Sequence, residues 1–347
     1  MRSGSGVGIA DPSRMAGRGR PTFLSLLIAL VAVGCRDAPH SDRSPAVRAI
    51  EADALNAGTL ALPNRATSVK FAVIGDGGRG TPPQHEIAAQ MLAFRKEFKY
   101  PFVLMVGDNI YEGPATREDY YKKFEEPYRE LLDQGVKFYA VLGNHDDPRQ
   151  IEYEPFNMKG HRYYSFAPPE DLLAKIATRV EFFGLDSTNL DRAQLRWIDE
   201  RLTASRAAWK ICFFHHPLYT SGRYRIAARA FRLRLEPLLV QHDIDAVFSG
   251  HEHIYQRSEL MGGVQYFVTG GAGSLRPTDG APTSYVAKTF AGDYHFMLIE
   301  IEGRELHFQA ISRSGKTIDA GTLFKDSEDA VHADETPVTR QDMPVRR

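Results

Sequence analysis

Two rhythms of apolar and polar residues alternate through the middle of this chain. Lys70–Ile74, Phe102–Val106, Lys137–Leu142, Val180–Leu185, Trp209–Phe214 and Ala246–Phe248 are short and almost wholly apolar, which predicts strands buried on both faces. Between them, His85–Phe98, Glu118–Asp133, Asp191–Ser205 and Ala227–His242 space their apolar residues three and four apart, which predicts amphipathic helices. Strand–helix alternation of this kind builds an α/β layered domain with helices outside the sheets. The pattern then changes. Ile254–Leu260, Val264–Thr269, His295–Glu302, Glu305–Ser312 and Thr317–Phe324 read as successive strands with tight turns such as Gly262-Gly263 and Ser314-Gly315, the material of a second, partly antiparallel sheet. No internal repeat is visible.

Both ends break this rhythm. Arg18 and Arg20 precede an apolar run, Phe23–Val33, that closes on Ala32-Val33-Gly34-Cys35. A basic stretch, a short apolar core and small residues describe a secretory signal, and the run is far below the ~20 residues of a membrane-spanning helix. A cysteine directly behind the small residues resembles the lipobox of bacterial lipoproteins, where that cysteine is diacylated and becomes the new N-terminus. The alternative is an ordinary cleaved signal. The expected organisation is a signal peptide over 1–34, a flexible tether over 35–67, a folded domain over 68–325 and a disordered tail over 326–347. The expected location is periplasmic or cell-surface, with membrane contact only through lipid at Cys35. That leaves Cys212 alone, inside the apolar run Ile211–Phe214, as a buried and inert thiol.

Composition adds little to this picture. The chain has 347 residues, 43% of them hydrophobic and 25% charged, as in an ordinary globular protein. A net charge of -1 argues against a nucleic-acid partner and leaves a small anionic substrate open.

The chemistry sits in five motifs, each where a predicted strand ends. They are Gly75-Asp76-Gly77-Gly78, Gly107-Asp108-Asn109-Ile110-Tyr111, Gly143-Asn144-His145-Asp146, His215-His216-Pro217 and Gly250-His251-Glu252-His253. In open α/β sheets the crevice beyond the strand C-termini binds ligands, so these residues converge at one rim. Singly each motif is weak: an Asp beside glycine is usually a turn. Together they supply carboxylates, a phenol, an amide and imidazoles, enough for two adjacent metal sites that share a carboxylate.

This constellation resembles the calcineurin-like metallophosphoesterase superfamily. The tyrosine three residues after Asp108 narrows the resemblance to the purple acid phosphatases, and the wording of Gly107-Asp108-Asn109-Ile110-Tyr111 and Gly143-Asn144-His145-Asp146 is most similar to the small, tartrate-resistant type. The resemblance implies a four-layer α/β/β/α sandwich of two mixed sheets flanked by helices. It also implies one metal on Asp76, Asp108, Tyr111 and His253, and another on Asp108, Asn144, His215 and His251, with Asp108 bridging. Two carboxylates and a phenolate favour Fe(III) in the first site, while the imidazoles and amide suit a divalent Fe, Zn or Mn in the second. His216 is expected in the substrate pocket and His145 as general acid toward the leaving group. Asp146 is expected to orient the His145 ring or to cap a helix, and Asp243, Asp245 and Glu252 to steady ligand imidazoles. The loop holding Tyr219, Ser221, Arg223, Tyr224 and Arg225 would cover the mouth. Gly270-Gly271-Ala272-Gly273 reads as a tight backbone passage near the metals.

The implied activity is hydrolysis of small phosphate monoesters, an acid phosphatase in which a metal-bound hydroxide attacks phosphorus. Two alternatives remain: a divalent-metal phosphodiesterase on the same fold, and a non-catalytic metal-binding surface lipoprotein.

Overall fold

The computed structural model describes residues 46–52, 55–168, 176, 178–277 and 283–325. All belong to one compact unit, Asp42–Arg347. The expected signal peptide, the expected lipid site at Cys35 and the expected tail from 326 lie outside the described residues.

Among the described residues the chain forms two seven-stranded sheets. The first runs β1 (Ala46–Ile50), β14 (Thr317–Phe324), β13 (Glu305–Ser312), β12 (His295–Glu302), β2 (Val69–Ile74), β3 (Phe102–Met105), β4 (Lys137–Ala140). The second runs β11 (Val286–Phe290), β9 (Tyr255–Ser258), β10 (Gln265–Thr269), β8 (Ala246–Ser249), β7 (Trp209–Phe213), β6 (Val180–Gly184), β5 (Tyr164–Phe166). Strands β2, β3 and β4 are parallel to one another, as are β6, β7, β8 and β10. The other neighbours are antiparallel. Both sheets are therefore mixed.

Side chains alternate along the central strands, and each face finds its own core. From β2, Phe71 and Val73 point at the second sheet, while Ala72 and Ile74 pack with Ile87, Met91 and Phe94 of helix α1 (Pro82–Phe98). Phe71 stacks on Phe102 at 5.4 Å and meets the edges of Phe182 at 5.2 Å and Phe248 at 6.1 Å across the gap. Such aromatic pairs add roughly 0.5–1.5 kcal/mol each beyond their burial. The outer face of the second sheet, with Phe183, Cys212 and Val247, packs on Ile198 and Leu202 of one helix and Leu235 and Leu239 of another. The result is the four-layer α/β/β/α sandwich. A buried ion pair also ties the sheets together: Arg257 of β9 donates from Nε to Asp319 of β14 at 2.7 Å, and the Tyr255 hydroxyl donates to the same carboxylate at 2.8 Å.

Two expectations need correction. The helix expected over Glu118–Asp133 is in three pieces: α2 (Arg117–Tyr120), a π turn (Tyr121–Glu125) and α3 (Arg129–Asp133). Pro127 has no N–H for the carbonyl of Lys123, and the side-chain amide of Gln84 donates to that carbonyl instead, at 2.6 Å. The tether expected over 35–67 is also shorter. Ala46–Ile50 pairs with β14 as an edge strand, and the backbone N–H groups of Asn64 and Arg65 donate to Glu300 at 2.7 and 2.6 Å. The other long helices are α4 (Arg192–Ala204) and α5 (Arg225–Gln241). Among the described residues no helix is long and apolar enough to cross a membrane.

Candidate metal centre

The five motifs leave the C-terminal ends of β2, β3, β4, β7 and β8 and meet between the two sheets. Asp76, Asp108 and His251 take φ values of 57°, 52° and 68°, the left-handed region that costs most side chains about 1–3 kcal/mol. Asp and His tolerate it better than most. The bend turns each donor off its strand direction into the gap. Gly270 makes the passage beside them possible, because a Cβ there would lie 2.7 Å from Asp76 Oδ2 and 2.3 Å from the Glu252 carbonyl oxygen.

Two clusters of donor atoms result. In the first, Asp76 Oδ1 lies 3.1 Å from the Tyr111 hydroxyl and 3.3 Å from His253 Nε2, and the hydroxyl is 3.2 Å from that nitrogen. Asp108 completes it: one donor atom each from Asp76, Asp108 and His253 falls within 4.8 Å of the others. In the second, His215 Nε2 stands 3.1 Å from Asn144 Oδ1, 3.2 Å from His251 Nδ1 and 3.4 Å from Asp108 Oδ1. Ligands held roughly 2.0–2.2 Å from a shared ion stand about 3.0–3.5 Å apart along the edges of its coordination polyhedron. Asp108 belongs to both clusters.

Electrostatics fits the same reading. Asp76 and Asp108 are buried, and no Lys or Arg pairs with either among the described residues. Burial pushes the Asp76 carboxyl up to about 7, against the pull of His215. Burial works against ionisation of Asp108 too, yet His215 and the His145 N–H hold it below the usual carboxylate range. Burial and the two carboxylates push the Tyr111 phenol far up. Burial, with neighbouring cations or imidazoles, lowers His251 to about 2 and His253 to about 4, so both rings are neutral and have lone pairs to give. Buried acids without a cation, beside neutral imidazoles, form a site shaped for metal ions.

The surroundings refine several expectations. His215 is steadied by the Val106 carbonyl oxygen, 2.9 Å from its Nδ1, and not by an acid. Glu252 accepts from the N–H of Tyr224 at 2.7 Å and holds the 220–224 loop. Asp245 sits at the far end of β8, accepting from the Lys210 N–H and pairing with Lys325, and Asp243 lies in the turn before it with φ 52°. Asp146 neither touches the His145 ring nor caps a helix. Its carboxylate accepts from the Ile110 and Gly143 N–H groups and from the side-chain amides of Asn109 and Gln150, at 2.7–3.0 Å, and so joins two ligand loops. The capping role falls to Asp147, which accepts from the Arg149 N–H. Arg223 and Arg225 are exposed, while Tyr224 lies over the His251 ring at 4.1 Å between centroids.

His216 flanks the second cluster, its ring 4.5 Å from that of His251 and 5.1 Å from that of His215. Its Nδ1 is 2.9 Å from the Ser187 hydroxyl, and its ring lines a cavity of about 280 Å³ with Tyr224, Phe231 and His251. His145 is exposed with its ring 4.8 Å from that of Tyr111. Two cations were missed in the sequence. The Arg79 guanidinium lies 3.8 Å over the Tyr111 ring, and Arg276 donates to the His251 carbonyl oxygen at 3.3 Å. Only the position of Arg79, three residues after Asp76, hinted at either.

Residues 69–255 match the calcineurin-like phosphoesterase family. The chain is 27% identical over 293 residues to purple acid phosphatase 7 of Arabidopsis thaliana, covering 75% of this chain and 87% of that protein. It is 23% identical over 303 residues to tartrate-resistant acid phosphatase type 5 of Rattus norvegicus, covering 76% and 90%. The structure of a purple acid phosphatase from yellow lupin seeds superimposes with a TM-score of 0.56 at 18% identity, over 81% of this chain and 58% of the lupin chain. The shared fold, the extent of the family match and a rim of carboxylate, amide and imidazole donors lead to one conclusion: this chain belongs to the calcineurin-like phosphoesterase family, the metallophosphoesterases.

Proposed function

We propose that the chain is an exported acid phosphatase of the purple acid phosphatase type, hydrolysing small phosphate monoesters and anchored by lipid at Cys35. The observation that carries this reading is the Tyr111 hydroxyl, 3.1 Å from Asp76 Oδ1 and 3.2 Å from His253 Nε2, where a phenolate would complete an oxygen-rich set. Asp76, Asp108, Tyr111 and His253 would hold Fe(III), and Asp108, Asn144, His215 and His251 a divalent Fe, Zn or Mn. When bound, the ions would neutralise phosphate charge and activate water.

The chain's own groups do the rest. His145 stands at the open side of the site, its backbone N–H fixed on Asp108 at 3.0 Å, so its ring is free to give a proton to the departing alkoxide. His216, held by Ser187, would set the wall against which the leaving group lies. Arg79 and Arg276 add positive charge beside the clusters and would favour a dianionic substrate.

The test is metal analysis with a visible spectrum. A phenolate on Fe(III) gives a charge-transfer band, so the purified protein is expected to be violet to pink and to bleach in Tyr111→Phe with its fold retained. A colourless, iron-free protein active with two divalent ions would remove the purple acid phosphatase assignment and leave the family standing. Monoester against diester rates would separate the phosphatase from a diesterase.

A further inference from the structure

Helix α5 is apolar on two opposite faces. Ala228, Leu235 and Leu239 are buried against the second sheet, as an amphipathic helix requires. The other side has a second stripe. Ile226, Ala230, Leu233, Pro237 and Val240 follow one another at spacings of four, three, four and three, and all are exposed. At 100° per residue they occupy about 80° of the helix circumference. Ile226 is 81% exposed, Leu233 73% and Val240 37%, three of the five large hydrophobic residues exposed among the described residues. Isolated exposed apolar residues need no explanation, but a continuous stripe along one helix marks a contact surface.

Its borders say which contact. Arg225 and Arg229 lie on one shoulder, Arg234 on the other, and Arg223 just before the helix. Arg223, Arg225 and Arg229 have no ion pair or hydrogen-bond partner among the described residues. The single acid of the helix, Glu236, accepts from the Tyr219 hydroxyl and lies 4.0 Å from Arg232. In a chain whose net charge is -1 this is a local basic excess. An apolar stripe between arginines is the pattern of a helix lying in a membrane interface. A second copy docking through the same face would bring unpaired arginines against their own kind, with no free carboxylate on the helix to meet them.

We propose that the outer face of α5 docks on an anionic lipid surface, the stripe from Ile226 to Val240 entering the headgroup region and the arginines meeting lipid phosphates. The same helix lines the cavity beside His216 and His251 with Ala227, Ala228 and Phe231. A docked α5 therefore holds the mouth of the site within about one helix diameter, ~10 Å, of the lipid. Docking is separate from any acyl chain at Cys35 and does not rest on the phosphatase reading.

The test uses the full chain carrying Cys35→Ser, with a nitroxide on Leu233→Cys; Cys212 is buried and stays unlabelled. With phosphatidylglycerol-containing vesicles the label gains access to oxygen over a water-soluble nickel chelate, and with pure phosphatidylcholine it does not. A label on Glu118→Cys, exposed on α2, stays aqueous in both. Arg225→Gln with Arg229→Gln lowers partitioning about tenfold to thirtyfold at low salt, since each basic residue at an anionic surface counts for roughly a factor of five. Ile226→Glu with Leu233→Glu abolishes lipid-dependent sedimentation and leaves the melting temperature unchanged. Three results overturn the proposal: a label at 233 that stays aqueous while the chain sediments with anionic vesicles, equal insertion into neutral vesicles, or a lipid-free dimer that Ile226→Glu with Leu233→Glu dissociates.

Discussion

The first sheet brings Asp76, Asp108, Tyr111 and Asn144 to the rim from β2, β3 and β4, and every donor it sends is an oxygen. The second sheet sends His215, His251 and His253 from β7 and β8, and every donor is a nitrogen. Neither sheet completes a cluster alone. The oxygens carry the negative charge that burial makes costly, whereas the His251 and His253 imidazoles are held neutral and cost little to bury. A metal ion would thus bridge two layers that are otherwise joined by apolar contacts, the Arg257–Asp319 and Lys325–Asp245 pairs, and hydrogen bonds such as that of the Tyr164 hydroxyl to the Ala140 carbonyl. Metal affinity and sheet-to-sheet packing should report on each other.

The largest effect is expected from the residue the two clusters share. Asp108→Ala should release both ions and lower phosphate release about 10⁴-fold, the order that several kcal/mol of lost electrophilic stabilisation converts to. His253→Ala removes one nitrogen of the second sheet and should empty only the tyrosine site. Metal analysis of the two variants compares the sheets directly; retention of both ions by Asp108→Ala would break the comparison.

Next come the two imidazoles outside the clusters, His145 after β4 and His216 after β7. His145→Ala should keep both ions and lose about 10²–10⁴-fold in kcat. The loss should be steepest for esters with basic leaving groups. His216→Ala should instead raise KM, with little dependence on the leaving group. Matching leaving-group profiles for the two variants would deny the first sheet its role as proton donor.

A smaller effect on turnover but a clear one on stability is expected at the inter-sheet pair. Asp319→Ala leaves the Arg257 guanidinium buried without its partner and should cost about 3–5 kcal/mol in denaturant unfolding. If the sheets act as one unit toward the metals, the same change should weaken metal retention from β14, three strands away from β2 in the first sheet; unfolding curves recorded with and without a chelator measure the coupling. Equal destabilisation in both conditions would show the metal centre to be independent of the far half of the sandwich.

Much of this arrangement was legible in the residue pattern, and the gaps have physical causes. Strands such as Phe102–Met105 and Trp209–Phe213 are covered on both faces, so their runs are apolar throughout and easy to see. Strands β1, β5 and β11 lie at sheet edges, are three to five residues long and are only partly covered, so nothing in them demands an apolar run. The candidate ligand residues could be picked out because their motifs follow strands, and Asp76, Asp108, Asn144 and His251 each come directly after a glycine. The work of Asp146 and Glu252 could not, because they bind backbone N–H groups of loops distant in sequence. Arg79 and Arg276 differ from solvated arginines only in what the fold puts beneath them. The outer stripe of α5 was hidden because one apolar face already accounts for an amphipathic reading, and a second face merges into it.

The left-handed backbone at Asp76, Asp108 and His251 has a consequence for how such a protein can change over generations. Branched or bulky side chains are excluded there by shape before chemistry is consulted. Asparagine is the easy replacement for aspartate: it has the same outline, tolerates the same φ and is reached by a single base change. Asp76→Asn or Asp108→Asn would remove a costly buried charge while keeping the bend. Drift at these positions therefore runs toward a silent relative that keeps the same bends and the same fold but is unable to hold ions. Within this architecture, inheritance of shape and inheritance of turnover separate at two oxygen atoms.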